Sequence, residues 1–248
     1  IIALSHISNV TGWEVDLAQL GRLIKSHAPD AIIVVDGAQS ACHWPLFSTT
    51  LPDLPIDFYA CSAHKMFGPT GVGMFWGRAD LLSDMPPLLG GGEMINSVSF
   101  NGSSFAAPPR RFEAGTPPIT QAVGFHAAIT FLSQLDHQAI RAHEAALADN
   151  MAGQLAGMAT ILGGAKFAQS RAPIISFAIK GCHPHDICQL SDRTGVAMRG
   201  GHHCAQPLMA HFNLLASSRA SLSAYNTQAD CDAAIAAIQD AVQLLKGD

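Results

Sequence analysis

Charged side chains are scarce: Asp, Glu, Lys and Arg make up 13% of the 248 residues, about half the usual share. Much of the surface must therefore be uncharged or covered by a partner. No basic block occurs, and 14 Lys+Arg against 19 Asp+Glu leave a net charge of −5, which argues against binding nucleic acid or an acidic membrane. No apolar run approaches the roughly 20 residues that span a bilayer, and no basic–apolar–small signal opens the chain. The expectation is a soluble, cytoplasmic protein with neither nucleic acid nor membrane among its partners. The six cysteines, Cys42, Cys61, Cys182, Cys188, Cys204 and Cys231, include no Cys-x-x-Cys pair and are too sparse for a disulfide scaffold. Reduced thiols are the default. A start methionine is also missing. Ile1-Ile2-Ala3-Leu4 reads as a buried strand already under way, so the chain is read as the N-terminally truncated, later part of something longer.

Hydrophobic residues, at 48%, are sufficient for a sizeable core. Ala31-Ile32-Ile33-Val34-Val35 is a continuous β-branched run, the pattern of a parallel strand buried on both faces. Between it and the opening strand, Leu17, Leu20, Leu23 and Ile24 recur at helical spacing, which makes a βαβ unit. Residues 58–61 and 72–76 supply two more strands. Residues 86–118, rich in Gly, Pro, Ser and Asn, read as a long loop, either functional or held by a partner. Helices follow over 120–135 and 136–158, the second burying Ile140, Leu147, Met151 and Leu155. Residues 174–179 alternate as a strand, and Val196-Ala197-Met198 reads as another. Thr227 with Asp230 resembles a capping box that starts the last helix. The fold class expected is α/β, with a mixed, mostly parallel sheet in a first domain (1–131) and a smaller α+β domain after it (132–248).

Asp36 stands where the strongest strand ends, in Val35-Asp36-Gly37-Ala38-Gln39, and ligands of open α/β sheets bind beyond such carboxyl ends. Taken singly it reads as well as a helix cap. Ser62-Ala63-His64-Lys65 follows the next strand, with the glycine-rich stretch 66–73 after it. A lysine at a strand end among small residues can be desolvated and its amine made available for bonding to an aldehyde carbon. Ser62 and His64 can donate to a phosphate. A pyridine ring needs an acid at its nitrogen, a lysine at its aldehyde carbon and donors at its phosphate, so the set points to pyridoxal 5'-phosphate.

Asp36-x-x-Gln39 followed by Ser62-x-His64-Lys65 resembles the class V aminotransferase family, whose members are fold type I pyridoxal-phosphate enzymes. Arg199-Gly200-Gly201-His202-His203-Cys204-Ala205-Gln206-Pro207, with Arg219-Ala220-Ser221 and Tyr225-Asn226-Thr227, is similar to its cysteine desulfurase/selenocysteine lyase branch, in the compact-loop Suf/Csd type. Arg111-Phe112-Glu113-Ala114-Gly115-Thr116-Pro117 resembles that branch's linker. The resemblance implies a large-domain part that binds the cofactor and a small domain that carries the cysteine loop. It implies that Lys65 holds the cofactor and moves the substrate's α-proton. Asp36 would face the ring nitrogen, Gln39 the phenolic oxygen, and Ser62 and His64 the phosphate. Thr116 would reach the phosphate of the other copy in a homodimer. Asn9 and Arg219 would hold the substrate carboxylate, and Arg199 would stand near the cysteine loop. Cys204 would take sulfur from L-cysteine or L-selenocysteine's equivalent atom, releasing alanine. A SufE-type sulfur acceptor and a place in iron–sulfur cluster assembly follow from the same likeness.

The residues around Cys204 agree with that role. Two histidines and an arginine make its surroundings electropositive, which favours the reactive thiolate, and Gly200-Gly201 suggests a mobile loop. Cys182-His183-Pro184-His185 with Cys188 has the residue types of a zinc site but no common zinc spacing. It reads as a helix start with proline in the first turn, so no metal is expected. The resemblance implies a further N-terminal stretch, including a histidine that stacks on the ring, that is not among residues 1–248. Two alternatives remain: another class V reaction, which would need no cysteine, or an inactive chain that serves as a binding module.

Overall fold

The run marked most strongly as a strand is an inner strand of a four-stranded sheet. The structure, a computed structural model, describes residues 1–43, 51–166 and 171–247. The chain divides into two compact units, Ile1–His6 with Asp16–Leu135, and Ile7–Val15 with Asp136–Asp248.

In the first unit β1 (Ile2–Ser5), β2 (Ile33–Asp36), β3 (Phe58–Ser62) and β4 (Gly73–Gly77) lie side by side in that order. The β1–β2 and β2–β3 ladders are parallel and β3–β4 is antiparallel, so the expected mixed, mostly parallel sheet is present. Helix α1 (Leu17–His27) makes the crossover from β1 to β2, and Asp16 caps it by accepting from the Gln19 N–H. β1 differs from expectation. It is exposed over most of its length, because it is an edge strand with β2 as its one ladder partner among the described residues.

Asp57 fixes β2 from below. It is 4% exposed, and its carboxylate accepts from the Ile33 N–H at 2.8 Å and from Lys25 Nζ at 2.9 Å, with Arg78 Nε at 3.4 Å. Burial works against the charge, but the Ile33 amide and the two cations prevail and hold the carboxyl below its usual range. Lys25 and Arg78 are about one-third exposed and can return to water when the acid is removed. The Ile33 N–H cannot. Asp57→Ala is therefore expected to cost about 2 kcal/mol, the penalty for one stranded buried amide, rather than the larger loss seen when a charge is stranded. Urea denaturation measures it.

Helix α2 (Ala79–Asp84) follows β4. The segment read as a long loop contains a hairpin, β5 (Ile95–Ser99) and β6 (Gly102–Phe105). Its two-residue turn is Phe100-Asn101, and Gly102, at φ 151°, opens β6 opposite Ser99, all set among short polar residues that read as loop by composition. Arg111 stitches this segment down, donating from Nε to the Ala106 carbonyl and from Nη1 to those of Ser83 and Met85. Helix α3 (Ile119–Ser133) ends the unit.

The second unit has an antiparallel sheet in the order β7 (Thr160–Ile161), β8 (Ile174–Ala178), β10 (Ser217–Ser221), β9 (Arg199–Gly201). Its helices are α4 (His137–Leu155), α5 (Pro184–Asp192), α6 (Gln206–His211) and α7 (Gln228–Lys246). Leu147, Met151 and Leu155 of α4 meet Ile175 and Phe177 of β8 and Cys231, Ile235 and Ile238 of α7 in one core. The capping box at Thr227 and Asp230 is formed, and His183 caps α5. Two expectations shift. Val196–Met198 is not a strand. The strand is Arg199–Gly201, so Gly200 and Gly201 lie in a ladder opposite Ser218 and Ser217 rather than in a free loop. Cross-strand partners decide here against intrinsic β-propensity.

Residues 7–15 join this unit through Arg171, which is 3% exposed. Its guanidinium donates to the carbonyls of Thr11 at 2.7 Å and Leu162 and Gly163 at 3.2 Å, and stands 5.7 Å over the Trp13 ring. Ser176 Oγ donates to the Val10 carbonyl at 2.7 Å. Among the described residues no helix is long and apolar enough to cross a membrane.

Candidate functional site

In the first unit the chemistry-bearing residues stand at the carboxyl ends of β2 and β3. Asp36 is the last residue of β2 and is exposed, and its Oδ1 accepts from the Ala38 N–H at 2.8 Å. The next residue has to be glycine: a Cβ at Gly37 would lie 2.0 Å from the Tyr59 ring. Tyr59 is fully buried, shares a 2.6 Å hydrogen bond with Ser40 Oγ, and has its phenol pushed up chiefly by burial. That packing fixes the turn which presents Asp36 and Gln39. Ser62 ends β3, and Ala63–Lys65 forms a single 3-10 turn. Lys65 Nζ donates to Gln39 Oε1. Asp36 and Ser62 end neighbouring parallel strands. Thr116 is exposed beyond Gly115, and no hydrogen bond joins Thr116, His64 or the Ser62 hydroxyl to this group among the described residues.

In the second unit Arg199 on β9 and Arg219 on β10 are directly opposite each other. Like charges so placed repel, and neither has an acidic partner among the described residues. Arg219 Nη1 donates to the Asn9 carbonyl at 2.9 Å, while its buried Nε has no partner among the described residues. Burial, and then Arg199, lower its pKa. An anion at this pair would relieve both costs. Asn9 continues the connection, with Nδ2 donating to the His203 carbonyl at 2.7 Å.

His203 and Cys204 take φ 54° and 58°, left-handed conformations that cost roughly 1–2 kcal/mol each for L-residues. Cys204 is the one exposed cysteine of the six, and its N–H donates to His202 Nδ1 at 3.2 Å. Burial pushes the thiols of Cys61, Cys188 and Cys231 up, away from reactivity.

His203 was not singled out in the sequence. In His202-His203-Cys204 nothing distinguishes one imidazole from the other, because the turn alone sends His203 inward to 2% exposure and leaves His202 outside. Burial, followed by the charge of Arg219, lowers the His203 pKa to about 4. The unfolded chain then binds a proton near pH 6.5 that the folded chain refuses until about pH 4. Stability is unaffected above that window and falls as the pH drops through it, by about 3 kcal/mol in total. His203→Gln is expected to flatten this part of the stability–pH curve, as read by denaturation at fixed pH steps.

The pattern that defines the family "Aminotransferase class-V" matches residues 1–234. The chain is 40% identical over 236 residues to a "Probable cysteine desulfurase" of Streptomyces coelicolor, covering 95% of this chain and 55% of that protein. It is 38% identical over 245 residues to "Cysteine desulfurase CsdA" of Escherichia coli, covering 99% and 59%. The crystal structure of that Escherichia coli protein, in an S-sulfonic acid form, superposes with a TM-score of 0.88 at 37% identity over 98% of this chain and 59% of the other. An apo cysteine desulfurase of Thermococcus onnurineus gives 0.89 at 33% identity, over 99% and 60%. The chain thus spans somewhat over half the length of the relatives it matches.

Proposed function

The chain belongs to the class-V aminotransferase family, and from that premise we propose that it carries the chemistry of a pyridoxal-phosphate cysteine desulfurase. One observation carries the reading: the residue before an exposed thiol, Cys204, is joined by its carbonyl through Asn9 to an arginine whose buried Nε has no partner among the described residues and whose cross-strand neighbour is another arginine. That arrangement suits a small substrate bearing a carboxylate and offering an atom for a thiol to attack. L-cysteine has both, and L-selenocysteine is its closest analogue.

The donor set of the first unit fits pyridoxal 5'-phosphate. Lys65 would hold its aldehyde carbon, Asp36 its ring nitrogen, Gln39 its phenolic oxygen, and Ser62 and His64 its phosphate. The bound cofactor supplies an electron sink for the substrate's α-carbon. Lys65 Nζ would remove and return the α-proton. Arg219 and Asn9 hold the substrate carboxylate, the arginine by its fork, and Arg199 adds charge beside them. The Cys204 thiolate attacks the substrate sulfur. An S–S bond forms, the C–S bond breaks with its electron pair left on carbon, and a proton there completes alanine. We assign the first unit to the cofactor-binding large domain and the second to the small domain that carries the cysteine.

The exposed side chains Leu88, Leu89, Val98 and Phe100, in the same segment as Thr116, support a homodimer in which Thr116 serves the partner's phosphate. A SufE-type acceptor, a cytoplasmic setting and a role in iron–sulfur assembly go with this reading. A single-turnover mixture with pyridoxal phosphate and L-cysteine tests it. Alanine and one sulfur added to Cys204, in equal amounts, are expected. Absence of both products overturns it.

A further inference from the structure

The strained turn at His203 and Cys204 persists only if neighbouring groups over-determine it. Two of its fastenings belong to His203, beside the Cys204 N–H donated to His202 Nδ1 and the Ala205 N–H donated to the His202 carbonyl. The His203 carbonyl accepts the Asn9 amide at 2.7 Å. Its ring places Nε2 3.0 Å from the Ser217 carbonyl and 3.1 Å from Ser217 Oγ. A carbonyl can only accept, so Nε2 carries the proton and donates. Ser217 and Arg219 lie on the same strand, and Arg219 holds the other end of Asn9. Ring and carbonyl therefore tie the turn to β10 directly and to Arg219 through Asn9, while the thiol of the next residue stands in solvent.

We propose that His203 is a positioning residue for sulfur transfer, fastening the left-handed turn that presents the Cys204 thiol. The inference rests on Cys204 being the nucleophile. An imidazole serves because it fills the buried space and reaches Ser217 with an N–H. Glutamine can place an amide N–H close to the Nε2 position. Asparagine reaches only to the Nδ1 position, and phenylalanine fills the space with no donor.

The test uses the whole chain and two readouts. The first is the rate at which an aromatic disulfide reagent labels Cys204, with no cofactor or substrate present. The second is kcat and KM for alanine release from L-cysteine with pyridoxal phosphate. His203→Gln is expected to match the parent in both. His203→Phe and His203→Asn are expected to shift the labelling rate by about fivefold or more and to lower kcat at least about tenfold, with KM nearly unchanged, because lost positioning acts on the transfer step. Parental labelling and kcat in folded His203→Phe overturn the proposal. If that variant does not fold, the comparison of Asn with Gln decides: equal behaviour of the two overturns it as well. A parent that labels normally but yields no alanine counts against the desulfurase reading, and the labelling series still judges the role of His203.

Discussion

Replacing Lys65 with alanine is expected to abolish alanine release from L-cysteine, with a loss of about a thousandfold or more. A positioned proton-transfer group alone contributes about 10²–10⁴ in rate, and here the same amine is also the proposed point of covalent attachment to the cofactor. No neighbour can replace it. Gln39, which accepts the Nζ hydrogen bond, has no basic nitrogen. His64 lies one residue earlier in the same 3-10 turn and cannot form the same bond to an aldehyde. Lys65→Arg should fail equally, since a guanidinium keeps the charge and loses the nucleophilic amine. The fold should be untouched, because Lys65 is exposed and the turn is held by backbone bonds from Met66 and Gly68 to the Ala63 carbonyl at 2.8 and 2.9 Å. Borohydride reduction followed by intact-mass measurement separates the step: the parent should be fixed to pyridoxal phosphate at Lys65 and both variants should not. Retained fixation in Lys65→Ala would place the attachment elsewhere.

What could be read from the sequence follows from which forces are local. Ala31–Val35 is five apolar letters followed by an acid, and α7 begins at a capping box; both patterns are complete within a few residues, and the strand Ile33–Asp36 and the helix Gln228–Lys246 formed from them. That Asp36 and Lys65 follow neighbouring strands was also legible, because each comes at or just past the end of an apolar run. The strand at Arg199–Gly201 was not. Two glycines carry no β signal, and only the partner strand selects them. Arg171 shows the same limit more strongly. Its hydrogen bonds reach back 160 residues to Thr11, and nothing near Arg171 in the sequence marks it as the anchor of a segment from the other end of the chain. His203 was illegible for a third reason: burial of one histidine and exposure of its twin is decided by two positive φ angles, which residue types other than glycine do not announce.

Cys204→Ala is expected to separate cofactor binding from sulfur transfer. The deleted atom is a single exposed sulfur, on a turn whose fastenings are made by the Asn9 amide, by His203 and by the Cys204 N–H, all of which an alanine retains. Structure and stability should therefore stay near those of the parent, within about half a kcal/mol as for most surface changes. Lys65 should still be fixed by borohydride with pyridoxal phosphate, since none of the first unit's donor set has changed. Sulfur capture from L-cysteine should fall by at least about a hundredfold, because no second nucleophile stands in for it. The other cysteines are poor substitutes. Cys61, Cys188 and Cys231 are buried with their thiols pushed up, Cys182 is buried, and Cys42 is half-buried with its sulfur directed to the Gln39 carbonyl. L-selenocysteine should be less affected, because the weaker carbon–chalcogen bond leaves less for the thiol to do. Mass spectrometry of the protein after one turnover, with alanine quantified in the same sample, reads both halves of the reaction. Undiminished alanine from L-cysteine in Cys204→Ala would show that sulfur leaves without this thiol, and the role of nucleophile would have to be withdrawn.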